Sequence, residues 1–339
     1  MLQASPAVVT GWLPGCVPLQ RRRLGLACGS FMYDLVGDIH GHADALEAVL
    51  RKLGYRETQG AYAQAGRQVV FLGDLIDRGP HIPRVLEVVR RMVDHGSAIA
   101  LLGNHELNAL AFHALWPGER DRWLRPRSNT NIRQHAQTLL QLPATELKSA
   151  LRWFRSLPLW LDLPGLRAVH ACWDERARTH VASHPAFRPG DLTDEFLLEA
   201  CQARGTLFPA VERLLKGPEL PLPEGTSYID RDGHPRHAMR IRWYLPPEGQ
   251  TFRSFAISDP IDSDVPVADL RPDPALAYHP QERPVFFGHY WLRGAQPTRL
   301  APNVACLDYS IAKAGFLCAY RWDGEQELCN TRFVTSQSS

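Results

Sequence analysis

The sequence lacks the features that would place it outside the ordinary globular class. It has no internal repeat, no low-complexity tract and no apolar run near the ~20 residues that a membrane-spanning helix needs. Net charge is only +2, from 38 basic and 36 acidic residues among 339. This balance gives no electrostatic footprint for duplex nucleic acid. We therefore predict neither a nucleic-acid duplex nor a membrane as partner.

Paired cysteine motifs are missing as well. The seven cysteines show no CxxC spacing and are scattered at Cys16, Cys28, Cys172, Cys201, Cys306, Cys318 and Cys329. An odd, dispersed set of this kind is typical of free thiols in a reducing compartment. The expectation is a cytoplasmic protein.

The first 31 residues differ from the rest. They carry two prolines among apolar residues, and the cluster Arg21–Arg23 lies on the wrong side for a secretory leader. We expect residues 1–31 to be a disordered extension. Because Met32 directly precedes the first predicted strand, a native start at Met32 is a hypothesis that N-terminal sequencing would test.

Three segments then repeat the order strand, polar loop, helix. The predicted strands run into Gly37, Gly73 and Gly103, and amphipathic helices with apolar residues at helical spacing follow them. Such βαβ units predict a largely parallel sheet flanked by helices. Ligands bind outside the carboxyl ends of the strands in such sheets, so the three loops are expected to converge.

Order weakens in the middle of the chain. Residues 119–160 are predicted to be mainly helical. The segment "LRAVHACW" is predicted to be a strand with a histidine near its end. Residues 175–280 are rich in proline, with a helical piece near 193–216 and two strands around a "DRDGH" turn. We expect this segment to be an insertion that caps the active face. Strands of mixed or antiparallel type are predicted from about residue 284 onward.

The loops at the strand ends carry side chains suited to metal binding. They are Asp38, His40, Asp74, Asp77, Arg78, Asn104 and His105, followed later by His170 and His289. Carboxylates, imidazoles and one amide oxygen favour Mn²⁺, Fe or Zn²⁺ over a thiolate-preferring metal. Asp38 and Asp74 would repel each other side by side, and a divalent ion between them removes that repulsion.

The ordered motifs "GDIHGH", "GDLIDRGP", "GNHE", "HAC" and "GH" resemble those of the calcineurin-like metallophosphoesterases. The resemblance is greatest to the branch of phosphoprotein phosphatases and bacterial diadenosine tetraphosphatases, and covers roughly 32–172 and 284–333. It implies an α/β sandwich of two mixed β-sheets flanked by helices. The domain would span 32–333, with 175–280 as an inserted cap or specificity element and 334–339 as a tail.

The resemblance also implies a binuclear centre. Asp38, His40 and Asp74 would hold one ion, and Asp74 would bridge to a second ion held by Asn104, His170 and His289. The ions would most simply be Mn²⁺, with Fe or Zn²⁺ as alternatives. A hydroxide bridging ions about 3.5–4 Å apart would attack phosphorus in line.

The remaining catalytic roles are implied in the same way. Arg78 would bind the phosphoryl oxygens, and His105 would protonate the leaving oxygen with Asp77 orienting its ring. Tyr290 and Trp291 depart from the residues that commonly follow the last histidine ligand.

Five further polar residues have a structural interpretation beside the functional one. His42 is predicted to lie near the ligands or face solvent, and Glu106 to open the helix after its loop. Asp308 resembles a family position near the metals, although turn chemistry explains it equally. Arg240 and Arg242 alternate along a predicted strand, where they would either gather phosphate charge or form a solvated face.

These motifs specify a reaction and leave the substrate open. The leading hypothesis is hydrolysis of phosphomonoesters, on either a phosphoprotein or a small molecule. The alternative enzyme is a diadenosine tetraphosphatase-like pyrophosphohydrolase. A hypothesis of another class, a non-catalytic binding module, is disfavoured because every candidate ligand is present. The sequence does not predict the oligomeric state.

Overall fold

The computed structural model of the protein describes residues 32–229, 235–258, 267 and 277–337. The predicted extension 1–31, the predicted "DRDGH" turn at 230–234 and the last two residues of the predicted tail lie outside the described residues.

The strands of the described residues are short. In chain order they are β1 (Met32–Val36), β2 (Arg56–Thr58), β3 (Ala61–Ala63), β4 (Arg67–Phe71), β5 (Ala98–Ala100), β6 (Trp160–Asp162), β7 (Arg167–Val169), β8 (Glu219–Pro221), β9 (Tyr228–Ile229), β10 (Pro235–Arg236), β11 (Ala238–Arg240), β12 (Val285–Phe287), β13 (Val304–Cys306), β14 (Asp308–Tyr309), β15 (Phe316–Trp322) and β16 (Phe333–Thr335).

The helices alternate with these strands in the first half and cluster in the middle of the chain. They are α1 (Ala43–Lys52), α2 (Ile82–His95), α3 (Asn104–His113), α4 (Asn129–Gln141), α5 (Ala144–Phe154), α6 (Glu175–Ser183), α7 (Asp194–Cys201), α8 (Phe208–Lys216) and α9 (Phe252–Phe255). None of the helices in the described part is long and apolar enough to cross a membrane.

The larger sheet has the order β14-β15-β1-β4-β5, and β16 also pairs with β15. Strand β4 runs parallel to both β1 and β5, which confirms the predicted βαβ units. Strand β15 pairs antiparallel with β1, so the sheet is mixed. Buried residues cover both faces of its centre, because Leu35 and Val36 point to opposite faces and both are fully buried.

A second sheet has the order β13-β12-β7-β6. Strand β12 is parallel to β7 and β13, and β6 is antiparallel to β7. The side chains of the two sheets meet in one core, where the rings of Phe286 on β12 and Tyr320 on β15 lie 5.2 Å apart. The predicted sandwich of two mixed sheets with flanking helices is confirmed.

Residues of the predicted cap pack onto the end of the second sheet. The backbone N–H groups of Ala171 and Cys172, just past β7, donate to the carbonyl of Leu214 on α8. Helix α8 is amphipathic and buries Val211, Leu214 and Leu215. It therefore anchors the helical part of this segment beside the loop that carries His170.

Candidate metal centre and active site

The candidate ligands lie on loops at the carboxyl ends of five strands. Asp38, Asp74 and Asn104 follow β1, β4 and β5 of the larger sheet, while His170 and His289 follow β7 and β12 of the second sheet. The loops contact one another directly, since the carbonyl of Asp74 accepts hydrogen bonds from the backbone of Ile39 and His40. The first three loops were predicted to converge at one edge of the sheet, and the loops that carry His170 and His289 join them there.

Two groups of buried side chains present ligand atoms within 4.8 Å of one another. They are His40, Asp74 and His105, and Asp74, His170 and His289. Asp74 belongs to both groups: its Oδ2 lies 3.6 Å from His40 Nε2 and its Oδ1 lies 3.4 Å from His170 Nε2. One carboxylate therefore lies between histidines of both groups.

Asn104 closes the second group. Its Oδ1 lies 3.0 Å from His170 Nε2 and 2.7 Å from His289 Nδ1. An amide oxygen and two imidazole nitrogens converging with a carboxylate suit a borderline divalent ion.

Hydrogen bonds fix which nitrogen of each ring faces the centre. His40 Nδ1 lies 2.9 Å from the carbonyl of Ile76, and His170 Nδ1 lies 2.7 Å from that of Leu72. Each Nδ1 therefore carries a proton, and each Nε2 is the ring nitrogen that faces the centre. His40 Nε2 is buried without a hydrogen-bond partner in the described part. Such an unpartnered nitrogen beside a carboxylate fits a bound cation.

The electrostatics of the centre point the same way. Burial, together with the nearby His105, lowers the pKa of His40 to about 3, so its ring is neutral and available as a ligand. Burial opposes a charge on His170, but Asp74 outweighs it and raises the pKa of His170 to about 10. A proton on His170 therefore offsets negative charge that a metal cation would otherwise neutralise.

Asp38 lies in neither three-residue group, although the resemblance makes it a ligand of the first ion. Its two oxygens lie 3.2 and 3.1 Å from the backbone nitrogen of His289. Burial and the nearby Asp308 raise its pKa well above the usual range. The loop after β12 approaches so closely that a Cβ on Gly288 would lie 2.0 Å from Asp38 Oδ1. The glycine in the "GH" motif is therefore required by this contact.

The backbone is strained where these residues sit. Among the described residues, nine non-glycine residues have a positive φ, and six of them lie on the site loops: His40, Asp74, Asp77, Arg78, His289 and Trp291. Each such conformation costs about 1–3 kcal/mol and persists only when surrounding contacts enforce it. The concentration of strain at this edge supports a functional role.

Glu106 helps to hold the strained backbone of these loops in place. It does lie in the first turn of α3, as predicted, but its fully buried carboxylate also accepts backbone hydrogen bonds from two loops. Oε2 accepts from Asp74 and Gly103 at 2.9 and 3.0 Å, and Oε1 accepts from Leu75 at 2.8 Å. Glu106 thus ties the loop after β4 to the loop after β5.

His105 is held by Asp77, as predicted from the resemblance. Its Nδ1 lies 2.6 Å from Asp77 Oδ2, and its Nε2 faces the centre at 3.9 Å from Asp74 Oδ2. Burial alone would raise the pKa of Asp77, but hydrogen bonds from His105 and His135 hold it well below its usual value. Asp77 is therefore a carboxylate that fixes the His105 tautomer.

Arg78 stacks on an aromatic ring. Its guanidinium carbon lies 4.3 Å from the ring centroid of Trp291, and its buried Nε has no hydrogen-bond partner within the described residues. The sequence indicated Trp291 only as a departure from the family pattern. The structure makes it the platform that supports Arg78.

The two arginines of the predicted strand do not share a location. Arg240 Nη1 lies 3.5 Å from the carbonyl of His289, beside the centre. Arg242 instead donates from Nε to the carbonyl of Ala256 at 3.0 Å. The alternation continues just past the end of β11, because both arginines are partly exposed and Ile241 between them is buried. A role of either arginine in gathering phosphate charge stays a prediction.

The hydrogen bonding of Asp308 and His42 differs. Asp308 accepts hydrogen bonds from the backbone of Trp291 at 2.7 Å and of Ser310 at 2.9 Å, so it shapes the loop that carries His289. His42 is the residue before α1 and makes no side-chain capping hydrogen bond there.

Residues 33–196 match the family model of the calcineurin-like phosphoesterases. That segment is calcineurin-like. A stretch of 74 residues of the chain is 43% identical to an asymmetrical bis(5'-nucleosyl)-tetraphosphatase PrpE of Halalkalibacterium halodurans, covering 22% of this chain and 30% of the relative. The corresponding protein of Bacillus subtilis is 40% identical, with the same coverage. The chain thus matches less than a third of the length of these relatives.

Among solved structures, the chain is similar to a protein serine/threonine phosphatase of Saccharomyces cerevisiae. The identity is 12% and the TM-score 0.49, covering 92% of this chain and 81% of the other. A cold-active protein-tyrosine phosphatase of a psychrophilic Shewanella is 19% identical with a TM-score of 0.45, covering 91% and 81%. Nothing about substrate follows from likeness at this level.

Proposed function

We propose that this calcineurin-like phosphoesterase hydrolyses phosphoesters with two divalent ions held on either side of Asp74. The observation that supports this most is the shared carboxylate, with His40 Nε2 at 3.6 Å on one side and His170 Nε2 at 3.4 Å on the other. His40 Nε2 also supports the proposal, because this buried nitrogen has no hydrogen-bond partner within the described residues and a bound cation would give it one.

The ligand sets follow from the side chains at each side. Asp38, His40 and Asp74 would hold the first ion, and Asp74, Asn104, His170 and His289 the second. Bound ions of this type supply Lewis acidity at phosphorus and make water nucleophilic near neutral pH. Mn²⁺ is the favoured ion, with Fe or Zn²⁺ as alternatives, because the donor set mixes oxygen and imidazole nitrogen.

The chain's own residues would do the rest. Arg78 binds two phosphoryl oxygens through its planar guanidinium, which Trp291 keeps in place. His105 donates its Nε2 proton to the leaving oxygen, and Asp77 keeps the other proton on Nδ1. No covalent phosphoenzyme is required.

Phosphomonoesters, on a phosphoprotein or a small molecule, are the first candidate substrates. A second candidate is a dinucleoside polyphosphate such as diadenosine tetraphosphate. It is favoured by the identity to the tetraphosphatases over 74 residues and by Arg240 of the cap segment, whose Nη1 lies 3.5 Å from the carbonyl of His289. This extra positive charge would serve a further phosphate of a polyphosphate chain.

The test compares phosphate or nucleotide release from a phosphopeptide, a nucleoside monophosphate and diadenosine tetraphosphate by Mn²⁺-loaded protein. Preference for the peptide or monophosphate supports the first candidate, and preference for the dinucleotide supports the second. Arg240→Gln is expected to raise KM several-fold for the preferred substrate, whereas Arg242→Gln is the matched control. A protein that binds Mn²⁺ but hydrolyses none of these substrates would favour the binding-module hypothesis.

The domain boundaries, the cap segment and the cellular location are proposals as well. One domain is proposed for 32–333, with 175–280 as its cap and specificity element. A cytoplasmic location rests on the unpaired cysteines of the described residues, Cys172, Cys201, Cys306, Cys318 and Cys329.

A further inference from the structure

Asp77 makes more contacts than orientation of His105 requires. Its Oδ2 faces His105, but its Oδ1 lies 2.8 Å from His135 Nδ1 and 2.5 Å from Thr138 Oγ1. All four side chains are buried, with His135 4% exposed and Thr138 fully buried. Both oxygens of this carboxylate are therefore occupied by donors.

The additional donors come from a helix outside the motif loops. His135 and Thr138 are three residues apart on α4 and so lie on one face of that helix. Thr138 Oγ1 also accepts the backbone N–H of Asp77 at 3.0 Å. Asp77 has a positive φ of 66°, and this two-way contact helps to hold it there.

The donor at Oδ1 restricts how the carboxylate can turn. The terminal torsion of an aspartate is broad, so one hydrogen bond alone leaves the plane of the carboxylate free to rotate. With His135 on Oδ1, Oδ2 stays on the Nδ1 side of His105. His105 then keeps its Nε2 toward the centre, 3.9 Å from Asp74 Oδ2.

His135 is itself held from behind. Its Nε2 lies 3.3 Å from His113 Nε2, at the end of α3. Burial, with help from His135 and Arg127, lowers the pKa of His113 to about 4, so that ring is neutral. Since His135 Nδ1 faces Asp77, Nε2 is the nitrogen of His135 that faces His113. The chain of contacts runs from α3 through α4 to the general acid.

We propose that His135 is a positioning residue for the proton transfer to the leaving group. It acts through Asp77 on His105, and does not touch substrate. The proposal rests on the acid role given to His105 in the proposed function.

The test replaces the donor and then restores it. His135→Leu removes the Nδ1–H group, whereas His135→Asn places a side-chain N–H close to the same point. Hydrolysis of phenyl phosphate, whose leaving group is poor, is compared with that of p-nitrophenyl phosphate, whose leaving group is good. We expect kcat of His135→Leu to fall about 10–100-fold on phenyl phosphate, the range typical of lost outer partners. On p-nitrophenyl phosphate the fall should be much smaller, and His135→Asn should recover most of the loss.

Two further variants keep the result interpretable. Thr138→Val removes a second donor to Asp77. Like His135→Leu, it should lower kcat more on phenyl phosphate than on p-nitrophenyl phosphate. Arg133→Ala, on an exposed position of α4, is the control without effect on either substrate. Mn²⁺ content and melting temperature are measured for each variant, and Thr138→Val carries the test if His135→Leu does not fold.

An equal loss on both substrates, or no recovery with His135→Asn, would overturn the positioning role. The parallel variant His105→Asn separates this failure from a wider one. If His105→Asn slows phenyl phosphate selectively and the His135 and Thr138 variants do not, only the inference about His135 is wrong. If His105→Asn shows no leaving-group dependence, the acid role itself is wrong, and the inference is overturned with it.

Discussion

Strand β1 carries a buried aspartate near its middle and another just beyond its carboxyl end, and the two have opposite surroundings. Asp34 is fully buried and Asp38 is 2% exposed. Asp34 accepts hydrogen bonds from Arg67 Nε at 2.8 Å, Arg321 Nε at 3.1 Å and the Tyr55 hydroxyl at 2.9 Å. Its charge is matched by the protein's own cations.

Asp38 has no such partners among the described residues. Its hydrogen bonds come from the backbone of His289; burial, Asp308 and Asp74 raise its pKa, and the nearby His170 opposes them without cancelling them. A buried carboxylate with too little positive charge around it is strongly unfavourable. A buried aspartate with arginine partners therefore supports the fold, whereas one that the described residues neutralise only in part indicates an ion from outside.

The largest expected effect is at Asp38. Asp38→Asn should lower kcat by about 10³-fold, equivalent to roughly 4 kcal/mol, because the first ion loses an anionic ligand. Unfolding of the metal-free variant should occur at the same or a higher temperature than that of the metal-free parent, since a buried charge is removed. Phosphate release and thermal melts measure the two quantities. A melting temperature well below that of the parent would instead make Asp38 a structural residue.

Asp34→Asn should show the reverse pattern. Leaving Arg67 and Arg321 without their buried partner should lower the free energy of unfolding by about 3–5 kcal/mol. Turnover well below the melting temperature should stay within about twofold, because Asp34 lies within the sheet and makes no contact with the centre. Asp44→Asn, an exposed aspartate paired with Arg84, is the control and should change stability by less than about 1 kcal/mol. Urea titrations measure these differences, and equal effects at Asp34 and Asp44 would contradict the structural role.

Removal of metal should also distinguish Asp34→Asn from Asp38→Asn by their loss of stability. At a concentration 100 times its dissociation constant, a bound ion stabilises the folded state by about 2.7 kcal/mol. Chelation should therefore lower the stability of the parent and of Asp34→Asn by similar amounts and affect Asp38→Asn much less. Melts with and without chelator measure this, and an equal response of Asp38→Asn would argue against its role as a ligand.

The smallest effect is a dependence on pH. Burial and Asp308 raise the pKa of Asp38 above its unfolded value, so its protonated form is favoured in the folded, metal-free protein. Its stabilising contribution is present below the unfolded pKa and is lost as pH rises through the folded pKa. In chelator, Asp38→Asn should therefore gain stability relative to the parent as pH rises from 4 upward. A difference that is flat with pH would show that Asp38 is not in an unfavourable environment.

Much of the framework of the candidate site could be predicted from the sequence. The strand–glycine–ligand pattern at Gly37, Gly73 and Gly103 depends on local periodicity and strand termination, and those elements are confirmed. The convergence of the first three loops follows from the parallel order of β1, β4 and β5.

The remainder depends on contacts distant in the chain, which periodicity does not contain. Asp34 reads as an ordinary polar residue in a strand until Arg321, 287 residues later, reaches it. His135 lies on a helix without a motif, and Trp291 was visible only as a departure. Glu106 was assigned to its helix correctly, but its hydrogen bonds to the loop after β4 need the tertiary structure. The position of Arg240 beside the centre likewise depends on a distant contact, with the carbonyl of His289.

The proposed bridging of two metal ions by Asp74 is tested most directly by electron paramagnetic resonance of chelated protein titrated with Mn²⁺. We expect binding of two Mn²⁺ per chain, with the spectrum of a spin-coupled pair at two equivalents, and loss of that coupling in Asp74→Asn. One isolated Mn²⁺ per chain, or an unchanged coupled signal in Asp74→Asn, would contradict it.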